Sequence, residues 1–541
     1  MKEYSNLSVL IVDPNAGMRA SLHNMLNQSE ITKIEYAFNS GTAIRQITKK
    51  SYDIILCEYD LGNAQDGQDG QQLLEDLRHH QLIGQWTIFI MITSESVYGK
   101  VMSAAELAPS DYILKPFTGE TLGLRIKRAI ERRVAFLPIF QLIGQGKLRE
   151  AIAATTTAEQ QHPRHATDFC RLRAELQLKL GAAGEAEQTY RKIIEGRSFD
   201  WAQLGLAKAL FAQGNYAEAE TSLNALIAGN GKLMDAYDWL AKTYEAMARP
   251  KEAQSTLETA VAISPHVVRR WRRLGEMALE AGAPEVAERS FKQVISKSKY
   301  SEFRDPEDHV QLVRTMLANK RPSAAEEIIR DFDKSLRGNP KAAVCRAISS
   351  AMLHTANGNE QAAVKELSEA VEAHRAGAPL SSAMTISLVK SCIEHRLDDA
   401  ASDVLQDAVN EADNGVSLES AMQVFEQVGR SDLAAGFGQQ LKLRVTTLLE
   451  TARKLSQEQD FKGAVSAMLE ATRKAPTDAS VAGGAVNTMM TCMDHLGWDH
   501  ALGDQARLLL ERVQRLEPDS PQLPELLTQY QNTQRKYGIA A

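Results

Sequence analysis

The segment Leu7-Ser8-Val9-Leu10-Ile11-Val12-Asp13 runs from an apolar stretch directly into a carboxylate, and apolar residues at helical spacing follow at Met18, Leu22, Met25 and Leu26. This pattern predicts a strand, an acidic turn and a helix. Further strands are predicted at Lys33–Phe38, Asp53–Cys57, Trp86–Ile92 and Asp111–Leu114, with helices near 41–50, 70–80, 97–107 and 118–133. Five such alternations predict an α/β doubly wound, five-stranded parallel sheet covered by helices on both faces. In sheets of this kind ligands bind beyond the carboxyl ends of the strands, so the residues there carry the chemistry.

The rest of the chain sets bounds on what that sheet belongs to. With 541 residues it exceeds what one hydrophobic core supports, so two or more folding units are expected. A composition of 44% hydrophobic and 24% charged residues is that of a folded globular protein. The formal charge of −7 gives no global attraction for nucleic acid. The five cysteines stand far apart, with no metal-ligand spacing, as fits a reducing cytoplasm. Neither a signal-peptide pattern nor an apolar run of membrane-spanning length is found, and no membrane association is expected.

Four strand ends identify the first region by resemblance. Val12-Asp13-Pro14, Leu56-Cys57-Glu58-Tyr59, Ile92-Thr93-Ser94 and Leu114-Lys115-Pro116-Phe117 resemble the response-regulator receiver family, of the chemotaxis-regulator-like, flavodoxin-like kind. Gly70, Leu73-Leu74 and Met18-Arg19 extend the likeness over about residues 7–133. The resemblance implies a pocket built from Asp13, Glu58, Thr93 and Lys115, with Thr93 and Tyr112 as switch residues and a cis peptide before Pro116. In the family, acidic residues hold Mg²⁺, and an Asp after strand 3 takes a phosphoryl group from a histidine kinase.

Two departures fall on that chemistry. Glu58 stands at the phosphoacceptor position, its carboxylate one methylene further out, and Pro14 replaces an acidic ligand. An error of about 1 Å in such a transfer costs about 10²-fold in rate. Any Mg²⁺ would rest on Asp13, Glu58 and the backbone carbonyl of Asp60, and weak binding is expected. The resemblance then implies a pseudo-receiver in which Glu58 pairs with Lys115 and partly imitates phosphorylation, or else an inert docking module. A phosphoryl group carries about −1.5 to −2 and three oxygens, so one carboxylate imitates it incompletely. The alternative is a phosphorylatable regulator using Asp60 or Glu58 in a histidine–aspartate phosphorelay. Asp60, Asp66 and Asp69 also suit plain turn chemistry, and Cys57 suits a buried strand thiol.

Beyond Arg133 the strand signals stop. Ala219, Ala253 and Ala287, each after a turn, are separated by 34 positions and then 34 again. Tyr237, Leu240-Ala241, Tyr244, Leu257 and Ala260 surround the middle one, and Trp271, Leu274-Gly275 and Phe291 the next. These positions resemble the tetratricopeptide repeat. Ala151 and Ala186 continue the pattern upstream, Ala325, Ala363 and Ala401 follow at intervals of 38, and Ala464 and Ala501 come last. The resemblance implies an all-α tetratricopeptide-like superhelix over 134–541 after a receiver over 1–133. Stacked helix pairs offer extended surfaces to protein partners. Arg269, Arg272 and Arg273, beside Arg270 and around Trp271, suit either an acidic partner segment or a solvated charged face.

No catalytic constellation is found after residue 133, and no enzyme activity is expected. The combined expectation is a cytoplasmic, bacterial two-component scaffold. It would meet protein partners, among them a histidine kinase or another signalling protein, through the array and the receiver face.

Overall fold

The computed structural model describes residues 6–538, apart from 63–68, 85, 95–108, 266, 299–303, 337–338, 411–417, 476–477 and 518–519. Five strands, β1 (Ser8–Val12), β2 (Lys33–Ala37), β3 (Ile54–Glu58), β4 (Ile88–Ser94) and β5 (Asp111–Lys115), pair in parallel in the order β2-β1-β3-β4-β5. The expected doubly wound sheet is therefore present. The helix expected at 97–107 and the side chain of Asp66 lie outside the described residues.

The strand sequences explain the two-sided burial. Alternate residues point to opposite faces. Val9, Ile11, Ile54, Leu56, Ile90 and Ile92 pack with Leu22 and Leu26 of α1 (Ala16–Gln28) and with Leu122 and Ile126 of the helix Gly119–Gly144. Leu10, Val12, Ile55, Cys57, Phe89 and Met91 pack on the other face with Ile44 and Ile47 of α2 (Ser40–Lys49) and with Leu73, Leu74 and Leu77 of α3 (Gly70–His79). Each early helix starts on a side-chain cap: Asn15 for α1, Asn39 for α2 and Asp69 for α3. Such caps satisfy the backbone N–H groups that a helix start leaves without partners. Asp69 thus has a defined use, accepting the Gln72 N–H at 2.8 Å.

The helix Gly119–Gly144 runs through residue 133 without a break. Its first half covers the sheet, and its second half is the first helix of the array. There Phe136 stacks on Phe169 with ring centroids 4.1 Å apart, and Arg132 meets Asp168 at 3.2 Å.

All described structure after this helix is helical. Ala151, Ala186, Ala219, Ala253, Ala287, Ala325, Ala363, Ala401 and Ala464 are all fully buried, as close helix packing at those positions requires. Gly275 shows how tight the packing is, since a Cβ there would lie 2.7 Å from the Phe291 ring. The turn inside each helix pair places one residue in the left-handed region. Gly214 and Gly282 take it at φ +80° and +72°, whereas the turn between them uses Ala248 at +56°. The last pair differs from its expected form. Ala501 is exposed, and Ala506 is the fully buried alanine of the helix His500–Leu516, because Trp498 fills the space against Gly503.

By compactness the chain divides into Met1–Arg321 and Pro322–Ala541. The first unit holds the sheet and the regular repeats. The second holds the helices from Pro322 on, including Ser431–Gln457, which is about twice the usual length and exposes Leu443 near its middle.

Candidate functional site

The sheet order reverses between β1 and β3, and their carboxyl ends open side by side. Asp13 follows β1, Glu58 ends β3 and Lys115 ends β5. Lys115 Nζ reaches across to form an ion pair with Glu58 Oε2, and it lies 3.8 Å from Asp13 Oδ2. The structure therefore brings three of the four expected pocket residues into electrostatic contact. Both carboxylates are buried, while the Lys115 side chain keeps 27% exposure at the mouth. The Lys115–Pro116 peptide is cis.

Asp13 Oδ1 accepts the Asn15 N–H at 2.7 Å. Its other oxygen, Oδ2, has no hydrogen-bond partner among the described residues. Burial pushes the Asp13 carboxyl above its ordinary range; the Asn15 N–H and the charges of Lys115 and Arg19 only partly offset this. Glu58 is held from both ends, since its Oε1 accepts the Asp60 N–H at 3.3 Å. Asp60 is exposed and accepts the Gly62 N–H at 3.1 Å, which makes it a turn residue here. Pro14 is exposed and offers no side-chain oxygen.

These positions bear on any divalent cation. Of the expected donor set, Glu58 Oε2 is taken by Lys115, whose ammonium also stands 3.8 Å from Asp13 Oδ2, and Pro14 offers no side-chain oxygen. Among the described residues no group of three or more His, Cys, Asp or Glu is placed to hold a metal ion. The residues present do not fit a resident Mg²⁺, which prefers near-octahedral oxygen coordination.

Thr93 is buried at the end region of β4, where its hydroxyl donates to the Ser94 carbonyl at 3.4 Å. Tyr112 is half-buried and packs with Tyr59 against the α2–α3 side of the core. Cys57 is fully buried; burial raises its thiol well above the usual range and the neighbouring Glu58 charge adds to this, as suits an inert strand thiol.

Three residues that shape this pocket were not given roles by sequence reasoning. Asn15 aims its own N–H at Asp13, and a capping signal two positions after the acid marks it. Arg19 donates from Nη1 to the Asp13 carbonyl at 2.6 Å and the Pro14 carbonyl at 3.0 Å. Gly70 lets α3 approach, since a Cβ there would lie 2.5 Å from the Glu58 carbonyl oxygen. Gly70 likewise has a sequence signal, a glycine at a helix start.

The arginine group on the helix Val268–Glu280 is committed within the array. Arg270 is fully buried and forks onto Asp238 at 2.9 and 2.8 Å. Arg272 forks onto the buried Asp308 at 2.6 and 2.8 Å. Arg273 pairs with Glu245 and with Glu276. Trp271 donates its indole N–H to the Pro265 carbonyl at 2.8 Å. Arg270 and Arg272, together with the Arg273–Glu245 pair, thus join this helix to others in the stack; Arg269 is exposed.

Residues 9–127 match the response regulator receiver domain family, and residues 142–200, 201–228 and 240–302 match tetratricopeptide repeat families. This is a receiver domain followed by tetratricopeptide repeats. The receiver is similar to chemotaxis protein CheY-3 of Vibrio cholerae serotype O1, 28% identical over 127 residues, which are 24% of this chain and 94% of that protein. It is similar also to chemotaxis protein CheY of Pseudomonas aeruginosa, 25% identical over 126 residues, 23% of this chain and 98% of that one. A solved tetratricopeptide repeat protein from Parabacteroides merdae covers 54% of this chain and 97% of its own at 12% identity, with a TM-score of 0.34. The pairing of domains joins two-component signalling to protein interaction. Among the described residues no helix is long and apolar enough to cross a membrane.

Proposed function

We propose that this protein is a cytoplasmic, bacterial two-component scaffold whose receiver is not phosphorylated in use and whose repeats bind protein partners. The observation that carries this reading is the ion pair between Lys115 and Glu58 at the phosphoacceptor position. The ammonium that would bind the phosphoryl oxygens is already engaged, by a carboxylate whose oxygen is displaced from the Asp position by about one C–C bond, roughly 1.5 Å. The pair supplies a fixed negative charge next to Lys115, a partial imitation of a phosphorylated pocket. Neither domain contributes a catalytic constellation in this reading.

The continuous helix Gly119–Gly144 gives the receiver a direct mechanical path to the array. A shift of its sheet-packed half moves Phe136 and Arg132, which hold the next helices. Two-state coupling of this kind needs no flexible linker.

The test is incubation of the full chain with acetyl phosphate and Mg²⁺, read by intact mass. No stoichiometric adduct is expected. A stable gain of about 80 Da, the mass of one phosphoryl group, on Glu58 or Asp60 instead establishes the phosphorelay reading. Affinity capture with the full chain as bait, repeated with Glu58→Gln, then tests the imitation. Because a partly exposed pair contributes only about 0–1 kcal/mol, partner affinity is expected to change within about fivefold. Identical binding by wild type, Glu58→Gln and Lys115→Ala removes the pocket from the output.

A further inference from the structure

His165 closes the turn Pro163–His165, between the helices Leu148–Gln161 and Ala166–Lys179, and faces the second half of the helix Gly119–Gly144. Its Nδ1 lies 3.9 Å from Asp168 Oδ2, and its ring meets the Phe136 ring edge-on with centroids 6.3 Å apart. Arg132 holds the same two partners more closely. Its Nε donates to Asp168 Oδ2 at 3.2 Å, and its guanidinium carbon lies 5.1 Å from the centre of the Phe136 ring. One carboxylate oxygen and one ring therefore serve two basic side chains, and of the two only the arginine is within hydrogen-bond reach of the acid.

We propose that Arg132, Asp168 and His165 form a proton-operated latch where the receiver's helix enters the array: the arginine holds the acid while His165 is neutral, and a protonated His165 takes the acid over. A second cation in this space is repelled by the first, and Asp168 has one charge to share between them. The His165 side chain is 23% exposed against 49% for Arg132, so the arginine is the partner that can swing into water. Four charged or titratable side chains act on the imidazole: Asp168 from the helix that follows, Arg132 from the shared helix, and His162 and Arg164 from the turn before. Burial lowers the His165 imidazole below its ordinary value against the pull of Asp168, and Arg132, His162 and Arg164 act in the same direction as burial. The tied junction is therefore fully present above the ordinary histidine value, about pH 6.5, weakens as pH falls below it, and levels off beneath the native value. Release of Arg132 removes the polar tie between the shared helix and the helix Ala166–Lys179 and leaves the Phe136–Phe169 stack to hold them.

The inference rests on the shared helix as the path between receiver and array, not on the state of the Glu58 pocket. Its test is hydrogen exchange of the full chain at about pH 7.5 and about pH 5.5, on either side of the ordinary histidine value, corrected for the intrinsic pH dependence of exchange. In the wild type the protection of peptides 131–144 and 166–175 is expected to fall by at least about threefold at the lower pH. His165→Gln, which stays neutral, should hold it within about 1.5-fold, whereas His162→Gln should keep the wild-type fall. In Arg132→Gln the fall should disappear or reverse, because protonated His165 then meets Asp168 without a competitor. Should His165→Gln fail to fold, Arg132→Gln decides. The proposal is overturned if the wild type protects these peptides equally at both values, if His165→Gln or Arg132→Gln keeps the full fall, or if His162→Gln abolishes it. Loosening of 131–144 with the β3 peptide unchanged supports the latch and instead removes the shared helix as the path by which the array reaches the sheet.

Discussion

Arg133 Nη2 donates to Asp53 Oδ1 at 2.9 Å, joining residues 80 positions apart. The acid stands just before β3, and the arginine sits where the helix Gly119–Gly144 passes from the sheet into the array. Asp53 also accepts the Ser8 N–H at 2.9 Å and the Ser8 hydroxyl at 3.0 Å, so one carboxylate pins β1, β3 and the shared helix. Burial works against its charge, but the Ser8 N–H, the Arg133 guanidinium and the Ser8 hydroxyl together hold the carboxyl below its usual range.

That arrangement has a testable energy and a sign. Asp53→Ala is expected to cost about 1–2 kcal/mol and Arg133→Ala about 1 kcal/mol, because both side chains are partly exposed. Since the native value is lowered, the Asp53 contribution is present above the unfolded carboxylate range and is lost as pH falls through the native value. Hydrogen exchange of the full chain should show β1 and the segment 131–144 losing protection together. Loss confined to one of them would show that the pair does not couple sheet and array.

Asp13 predicts the opposite slope. Its carboxyl is raised by burial, so the folded state favours the protonated form. Its contribution is most favourable at low pH, declines as pH rises through the unfolded carboxylate range, and levels off above the native value. Asp13→Asn keeps an acceptor for the Asn15 N–H and removes the titration. The difference in receiver melting temperature between Asn variant and wild type should therefore grow in the variant's favour as pH rises, and a flat difference contradicts the assignment.

Arg270 tests how the array is held together. Its side chain is fully buried, and its fork is matched by Asp238, itself 27% exposed. Removing one partner of such a pair leaves an acid without its counter-charge at the helix contact. Arg270→Ala is expected to destabilise the array by about 3–5 kcal/mol. Arg270→Met combined with Asp238→Asn should recover part of that loss in urea melts followed by Trp239 and Trp271 fluorescence.

Ala248 holds a left-handed conformation, φ +56°, at a turn where the neighbouring repeats use Gly214 and Gly282. An L side chain there costs about 1–2 kcal/mol, partly balanced by the greater chain entropy that glycine loses on folding. Ala248→Gly is therefore expected to raise array stability by up to about 1 kcal/mol in the same melts.

The sequence by itself determined the architecture, because periodicity is a local property. Apolar runs ending in Asp13, Glu58 and Lys115 specify strands that carry chemistry at one end, and alanines 34 and then 38 positions apart specify stacked helix pairs. The substitutions at Glu58 and Pro14 were legible for the same reason, as single letters at marked positions. Partner choice was not legible, because it depends on geometry between residues distant in sequence. Only the tertiary structure decided that Asp60 turns to Gly62 while Lys115 bridges Glu58 and Asp13, although all three acids lie near the same strand ends. It likewise decided that Arg270, Arg272 and Arg273 find acids of their own chain, on residues up to 36 positions away. A charged stretch has the same sequence pattern whether its partner is water, another protein or a neighbouring helix. The packing that brings Asp238, Glu245 and Asp308 to those guanidinium groups is what distinguishes the three cases.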